Sequence, residues 1–258
     1  MDLKSEFGDC RFVIMQGSAD RTKDLANFFH NSLELPFGGK EIGKTERYSM
    51  YKVGKILCVS HGMGMPSLSI ALNEVYKLLH YAGCLDKCTF IRCGTCGGIG
   101  VAPGSVVVST ECCDADLNHF YTQSALGKHY QYPAIADPEV VRHLQLLAEE
   151  NGIPVVSGVT LSADGFYEDQ GRTDGFFCEY EEADKFSFLQ KLHAAGVCNI
   201  EMEALLFLAF ARRAGVKAGV VCTVIVDRLK GDQVTSTAEE LEEFMCANWK
   251  LLSHFVCE

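Results

Sequence analysis

Between Thr160 and Gly175 the chain reads TLSADGFYEDQGRTDG, which sets an aromatic ring (Phe166), a carboxamide (Gln170) and a guanidinium (Arg172) within seven residues. These side chains suit a planar heterocycle. The ring offers a stacking face, the amide both donates and accepts, and the cation can pin a carbonyl oxygen or a developing negative charge. A polar surface loop can carry the same residues by accident, so the segment gains weight only from its neighbours.

Further segments supply complementary chemistry. Gly17 and Arg21 follow an apolar run, and Arg92 and Thr95 sit in IRCGTCGGIG. Glycines let backbone N–H groups approach an oxyanion, Thr95 adds a hydroxyl, and the arginines add forked donors. A purely structural glycine-rich turn is the plainer alternative. No Gly-Lys-Ser/Thr follows, which excludes a P-loop, and GTCGGIG opens onto a β-branched run where a dinucleotide fingerprint needs a helix. Next to an apolar helical stretch stand Glu201, Met202 and Glu203. Carboxylates there either cap the helix, whose N-terminus favours negative charge, or accept hydrogen bonds from a sugar diol with the Met202 thioether against the ring. No histidine lies at helical spacing to these acids, so a metal site is not expected. Together the segments specify phosphate, sugar and base recognition.

Composition narrows the field. The 258 residues are 48% hydrophobic and 22% charged, enough for a large core, and the net charge of −11 argues against a nucleic-acid backbone as partner. The N-terminal MDLKSEFGDCRF lacks the apolar core of a signal peptide, and no apolar run reaches membrane-spanning length. Thirteen cysteines without an export signal point to reduced thiols and a cytoplasmic location. Cys93 and Cys96 form a C-x-x-C that reads as core thiols.

Short β-branched runs alternate with helix-period segments, as in an α/β fold. Strands are expected at 11–15, 48–53, 56–60, 89–92, 105–109, 155–161, 197–200 and 217–226. Helices are expected at 22–33, 68–81, 138–151, 183–195, 204–214 and 237–255, with 204–214 apolar nearly all round and therefore buried. No linker divides residues 1–258, so one domain is expected. Every segment with chemical potential lies just past a predicted strand, where open α/β sheets collect ligands.

The motifs RFxxxxGSxxR, SHGMGxPSxSI, IRxGTxGGIG, FYExQGRxDG and NIEMEA occur in order. With them the chain, from about Phe7 to Gln233, resembles the uridine phosphorylases of the nucleoside phosphorylase superfamily, nearest the animal, dimeric kind. The resemblance implies a three-layer α/β/α sandwich with a mixed central sheet. It also implies reversible phosphorolysis of uridine to uracil and ribose 1-phosphate in pyrimidine salvage, with phosphate as co-substrate and no cofactor. Gly17, Arg21, Arg92 and Thr95 would hold phosphate, with Arg47 reaching it from the neighbouring subunit of a homodimer. Glu201, Met202 and Glu203 would hold ribose, while Phe166, Gln170 and Arg172 would hold uracil, with Arg228 supporting that loop. Arg92, Glu203, Gln170 and Arg172 would carry the catalysis.

Some positions depart from the family pattern. Gln16 stands where a second glycine is usual and is expected to crowd the phosphate loop. Cys96 replaces a serine, which raises thiol oxidation as a control on phosphate binding. Asp227 replaces an asparagine; purine nucleoside phosphorylases carry an aspartate there as an acid, and a local ion pair with Arg228 is the alternative. The resemblance also implies a histidine from an upstream arm, and none stands before Phe7. Rival readings are therefore a purine nucleoside phosphorylase and a catalytically silent nucleoside-binding paralogue.

Overall fold

The computed structural model describes residues 2–43 and 46–257. A short helix α1 (Leu3–Phe7) precedes strand β1 (Phe12–Gln16) and helix α2 (Ala19–Leu33). Strands β2 (Met50–Val53) and β3 (Ile56–Ser60) lead to α3 (Gly64–Ala82), then β4 (Thr89–Gly98), β5 (Val106–Cys113) and the hairpin β6 (Phe120–Ala125) and β7 (Lys128–Pro133). The remainder is α4 (Pro138–Glu150), β8 (Val155–Ser162), α5 (Glu182–Ala194), β9 (Val197–Glu201), α6 (Ala204–Ala214), β10 (Lys217–Asp227) and α7 (Ala238–Val256).

The eight-stranded central sheet runs β10-β5-β8-β9-β4-β1-β3-β2, with β10 also paired to β4. It is mixed: β4 runs parallel to β1 and β10 but antiparallel to β9. Helices α2, α4 and α7 pack on one face and α3 and α6 on the other, which makes three layers. Strand β4 is central to both halves. Its first residues pair with β1, its last with β9, and β10 follows it throughout, so the sheet curls back on itself at the strand ends that carry the chemistry.

Local chemistry sets the helix ends. Ser18 caps α2 by accepting from the Arg21 N–H, and Asp137 caps α4 with Pro138 following at the first helical position. Thr237 and Glu240 form a reciprocal capping box on α7. Helix α6 has the expected limits and buries every residue from Ala204 to Ala211, the interior helix its sequence predicts.

One expectation needs correction. The segment GTCGGIG is largely strand, because β4 continues to Gly98. Gly97 belongs there for a spatial reason: a Cβ would lie 2.8 Å from Cγ of Arg228, whose side chain crosses the strand at that point. Two elements escaped the sequence reading, α1 and the β6–β7 hairpin. The hairpin is largely solvent-exposed and lacks the apolar alternation that marks a half-buried strand. All thirteen cysteines are free, Cys93 and Cys96 being buried core thiols as expected.

Candidate active site

A cleft of about 190 Å³ opens where β1, β4, β9 and β10 end. Gly17, Arg21, Arg92, Thr95, Phe166, Gln170, Arg172, Glu201, Met202, Glu203 and Arg228 all line it. Of the anticipated residues only Arg47 lies elsewhere. It is exposed on the flank beside Tyr48, Ile70 and Glu74, outside its own chain's cleft. Lining residues that the sequence reading did not single out include Met63, Ile200, Ile225, Val226 and Val234, apolar side chains around the polar groups. Met63 stands in the HGMG motif, so its loop was legible although its role was not. A larger groove of about 400 Å³, beside Phe7, Tyr48, Met50 and Val75, is mostly apolar and lacks convergent polar groups.

At the closed end of the cleft a buried arginine bridges two buried carboxylates. Nη2 of Arg92 lies 2.9 Å from Oε2 of Glu201 and also pairs with Glu203, while Nη1 donates to Sγ of Cys222 at 3.1 Å. Nε of Arg92 is buried and has no hydrogen-bond partner among the described residues. Burial alone would weaken this guanidinium, but the charges of Glu201 and Glu203 outweigh it and hold its pKa well above the ordinary value.

The two acids are used differently. Glu201 accepts from the N–H of Glu203 at 2.8 Å, from that of Ala204 at 2.9 Å and from the Ser162 hydroxyl. Its oxygens are thus occupied at the start of α6, as the capping alternative expects, so Glu201 holds the helix and Arg92 while also lining the cleft. Glu203 accepts from the Gly64 N–H at 2.5 Å and from Arg92. Gly64 has φ 81°, a left-handed conformation that glycine enters without a Cβ clash, and this turns its N–H toward the carboxylate. Burial pushes the Glu203 pKa up, yet Arg92 and the Gly64 N–H prevail and hold it below the usual carboxylate range, so the group is an anion at neutral pH.

At the open end, the Arg172 guanidinium lies 4.6 Å from the Phe166 ring centroid and forks onto Asp174 at 2.9 and 2.6 Å. The Gln170 carbonyl accepts from Nη2 of the fully buried Arg228 at 2.7 Å, the expected support of the base loop. The anticipated Asp227–Arg228 pair is not formed. Asp227 pairs with Lys230 at 3.2 Å and accepts from the Gly100 and Leu229 N–H groups, while Arg228 pairs with Asp232. Asp227 is not among the residues that line the cleft, although its neighbours Val226 and Arg228 are. Gln16 is buried beneath the loop and is not among the lining residues, so it does not crowd the anion end. Burial first, and the neighbouring Cys222 second, raise the Cys96 thiol pKa well above its ordinary value.

His61 sits fully buried near this network, its pKa lowered to about 3 by burial first and by the Arg92 charge second. A folded-state pKa below the unfolded one means that the unfolded chain takes up a proton first as the pH falls. The His61 contribution is therefore intact above about pH 6.5 and shrinks toward pH 3, costing about 2 kcal/mol by pH 5. In His61→Asn, the stability difference between pH 7 and pH 5 from urea unfolding should be smaller by about that 2 kcal/mol. An unchanged difference would show that the imidazole is not held neutral.

A family model described as the Phosphorylase superfamily matches residues 11–258. The chain is 43% identical, over 99% of its length, to a Caenorhabditis elegans protein named uridine and thymidine phosphorylase, 86% of which is covered. The structure resembles that of uridine phosphorylase from Schistosoma mansoni in complex with uracil, with TM-score 0.93 and 39% identity, over 99% of this chain and 89% of that one. A further Schistosoma mansoni protein, named inactive uridine phosphorylase B, is 37% identical over 94% of this chain and 83% of its own length.

Proposed function

Because this chain belongs to the phosphorylase superfamily, we propose that it catalyses reversible phosphorolysis of uridine to uracil and ribose 1-phosphate. The observation that carries this reading is one cleft in which Arg21 and Arg92, the Glu203 carboxylate, and the Phe166–Gln170–Arg172 loop face a common space.

Breaking the glycosidic bond builds positive charge on the sugar and negative charge on the departing base. Phosphate held by Arg21, Arg92, Thr95 and the Gly17 backbone offsets the first and then bonds to the anomeric carbon. Each guanidinium at about 4 Å from the phosphate contributes on the order of 4 kcal/mol of attraction at an effective dielectric near 20. Such cations favour an anionic nucleophile over water. Glu203, ionised and fixed by Arg92 and Gly64, accepts from the ribose hydroxyls and orients the ring, with Met202 against it. Phe166 stacks on uracil, Gln170 reads its edge, and Arg172 stabilises the uracil anion as it leaves, so no strong general acid is required.

Arg47, exposed and outside its own cleft, is assigned to the neighbouring subunit's phosphate, which makes a homodimer with shared sites the functional unit. The reading needs no cofactor or metal, and it places the protein in the cytoplasm, in pyrimidine salvage.

The test is nucleoside cleavage with and without phosphate, using uridine, cytidine and inosine side by side. Uridine should be cleaved only with phosphate, and far faster than cytidine, whose N3 lacks the hydrogen that Gln170 accepts. Inosine cleavage in preference to uridine would support the purine alternative. A relative named inactive gives a second reading a specific basis: uridine binding without phosphate-dependent loss would identify a silent paralogue.

A further inference from the structure

The base loop is held from behind by a buried charge network that the catalytic reading does not use. Asp232, in the segment after β10, receives Lys185 of α5 at 2.8 Å on Oδ2 and Nε of Arg228 at 2.9 Å on Oδ1. The Thr173 N–H also donates to Oδ2, at 3.3 Å. Lys185, Arg228 and Asp232 are all buried. One carboxylate thus joins α5, the end of β10 and the base loop, and both routes out of it lead to the residues that meet the nucleobase. Through Arg228 it reaches the Gln170 carbonyl at 2.7 Å; through Thr173 it reaches the residue next to Arg172. The Arg172 carbonyl is fixed in turn by the Tyr180 hydroxyl at 2.5 Å.

We propose that Asp232, anchored by Lys185, is a positioning residue that sets the edge-reading geometry of Gln170 and Arg172 for a pyrimidine base. A surface loop of this length, half of it exposed, needs such an anchor. A carboxamide displaced by a fraction of an ångström loses hydrogen-bond alignment steeply, and a buried cation stripped of its partner moves to find another. Asp232 touches neither sugar nor phosphate residues, so its influence is confined to the base end. This inference rests on the reading of the site as a uridine phosphorylase.

The experiment measures KM for uridine and KM for phosphate separately in the wild type, Asp232→Asn and Lys185→Met. Asp232→Asn should raise KM for uridine by about tenfold while KM for phosphate stays within about twofold, and Lys185→Met should shift the same constant by a smaller factor. If Asp232→Asn is insoluble, the double variant D232N/K185M removes the stranded ammonium together with the carboxylate, and the same split is expected. Both constants rising together, or neither moving, overturns the proposal, since a general loosening of the fold has no reason to spare phosphate. A wild-type protein without phosphate-dependent uridine cleavage overturns the functional reading and this inference with it. An active wild type whose variants show no split overturns this inference alone.

Discussion

Arg92→Met should lower kcat/KM for uridine phosphorolysis by roughly a thousandfold, at the upper end of what one preorganised charge-stabilising donor supplies. On the proposed reading the guanidinium holds the attacking phosphate, and it also pairs with Glu203, assigned to the sugar. One substitution therefore removes a nucleophile-binding cation and frees the group that orients the ribose. Stability should fall as well, by about 3–5 kcal/mol, because two buried carboxylates lose their counter-charge. The two effects are separable. In R92M/E203Q a neutral amide replaces one stranded carboxylate, so urea unfolding should show stability recovering while activity does not return. Arg92→Met with more than a tenth of wild-type kcat/KM would contradict the assignment of Arg92 to phosphate.

Arg172→Met should cost about a hundredfold in kcat for uridine, the scale of losing one donor to a developing oxyanion. The size of the loss should depend on the leaving group. In 5-fluorouridine the halogen already disperses charge on the departing base, so the variant should lose less with that substrate than with uridine. Stability should barely change, since the Arg172–Asp174 pair is partly exposed and such pairs contribute little. Equal losses with both nucleosides would mean that Arg172 binds the ground state and does not stabilise the anion.

Much of this site is legible from sequence because its groups lie in short motifs just past apolar runs. The segments at Gly17, Gln170 and Glu203 just past strands meet Thr95, near the end of β4, in one cleft, as the α/β pattern predicts. The continuation of β4 through GTCGG is not legible, because glycines lower strand propensity and the reason for Gly97 is the side chain of Arg228, just past β10 and more than a hundred residues away. The division of labour between Glu201 and Glu203 is equally hidden. Two residues apart and identical in type, they differ only in what surrounds them: Ser162 and the N–H groups at the start of α6 around one, Gly64 around the other. The partner of Arg228 is hidden for a related reason: Arg228 stands in the turn after β10, where Asp227 is occupied by the Gly100 and Leu229 N–H groups and by Lys230, and the carboxylate four residues on meets the guanidinium.

The interior character of α6 has a consequence for the order of events at the site. Its amides are enclosed on all sides, and the Glu201 carboxylate grips its first turn, so this helix belongs among the last segments to exchange hydrogen with solvent. The loop assigned to the nucleobase is instead exposed, with Phe166 and Tyr167 about half in solvent and Phe176 almost wholly so. Glu203 thus stands at the threshold of the most enclosed helix, while Phe166 at the other end of the cleft stands in a much more open segment. On the proposed reading uracil then has the shorter way out, and ribose 1-phosphate is expected to leave after it.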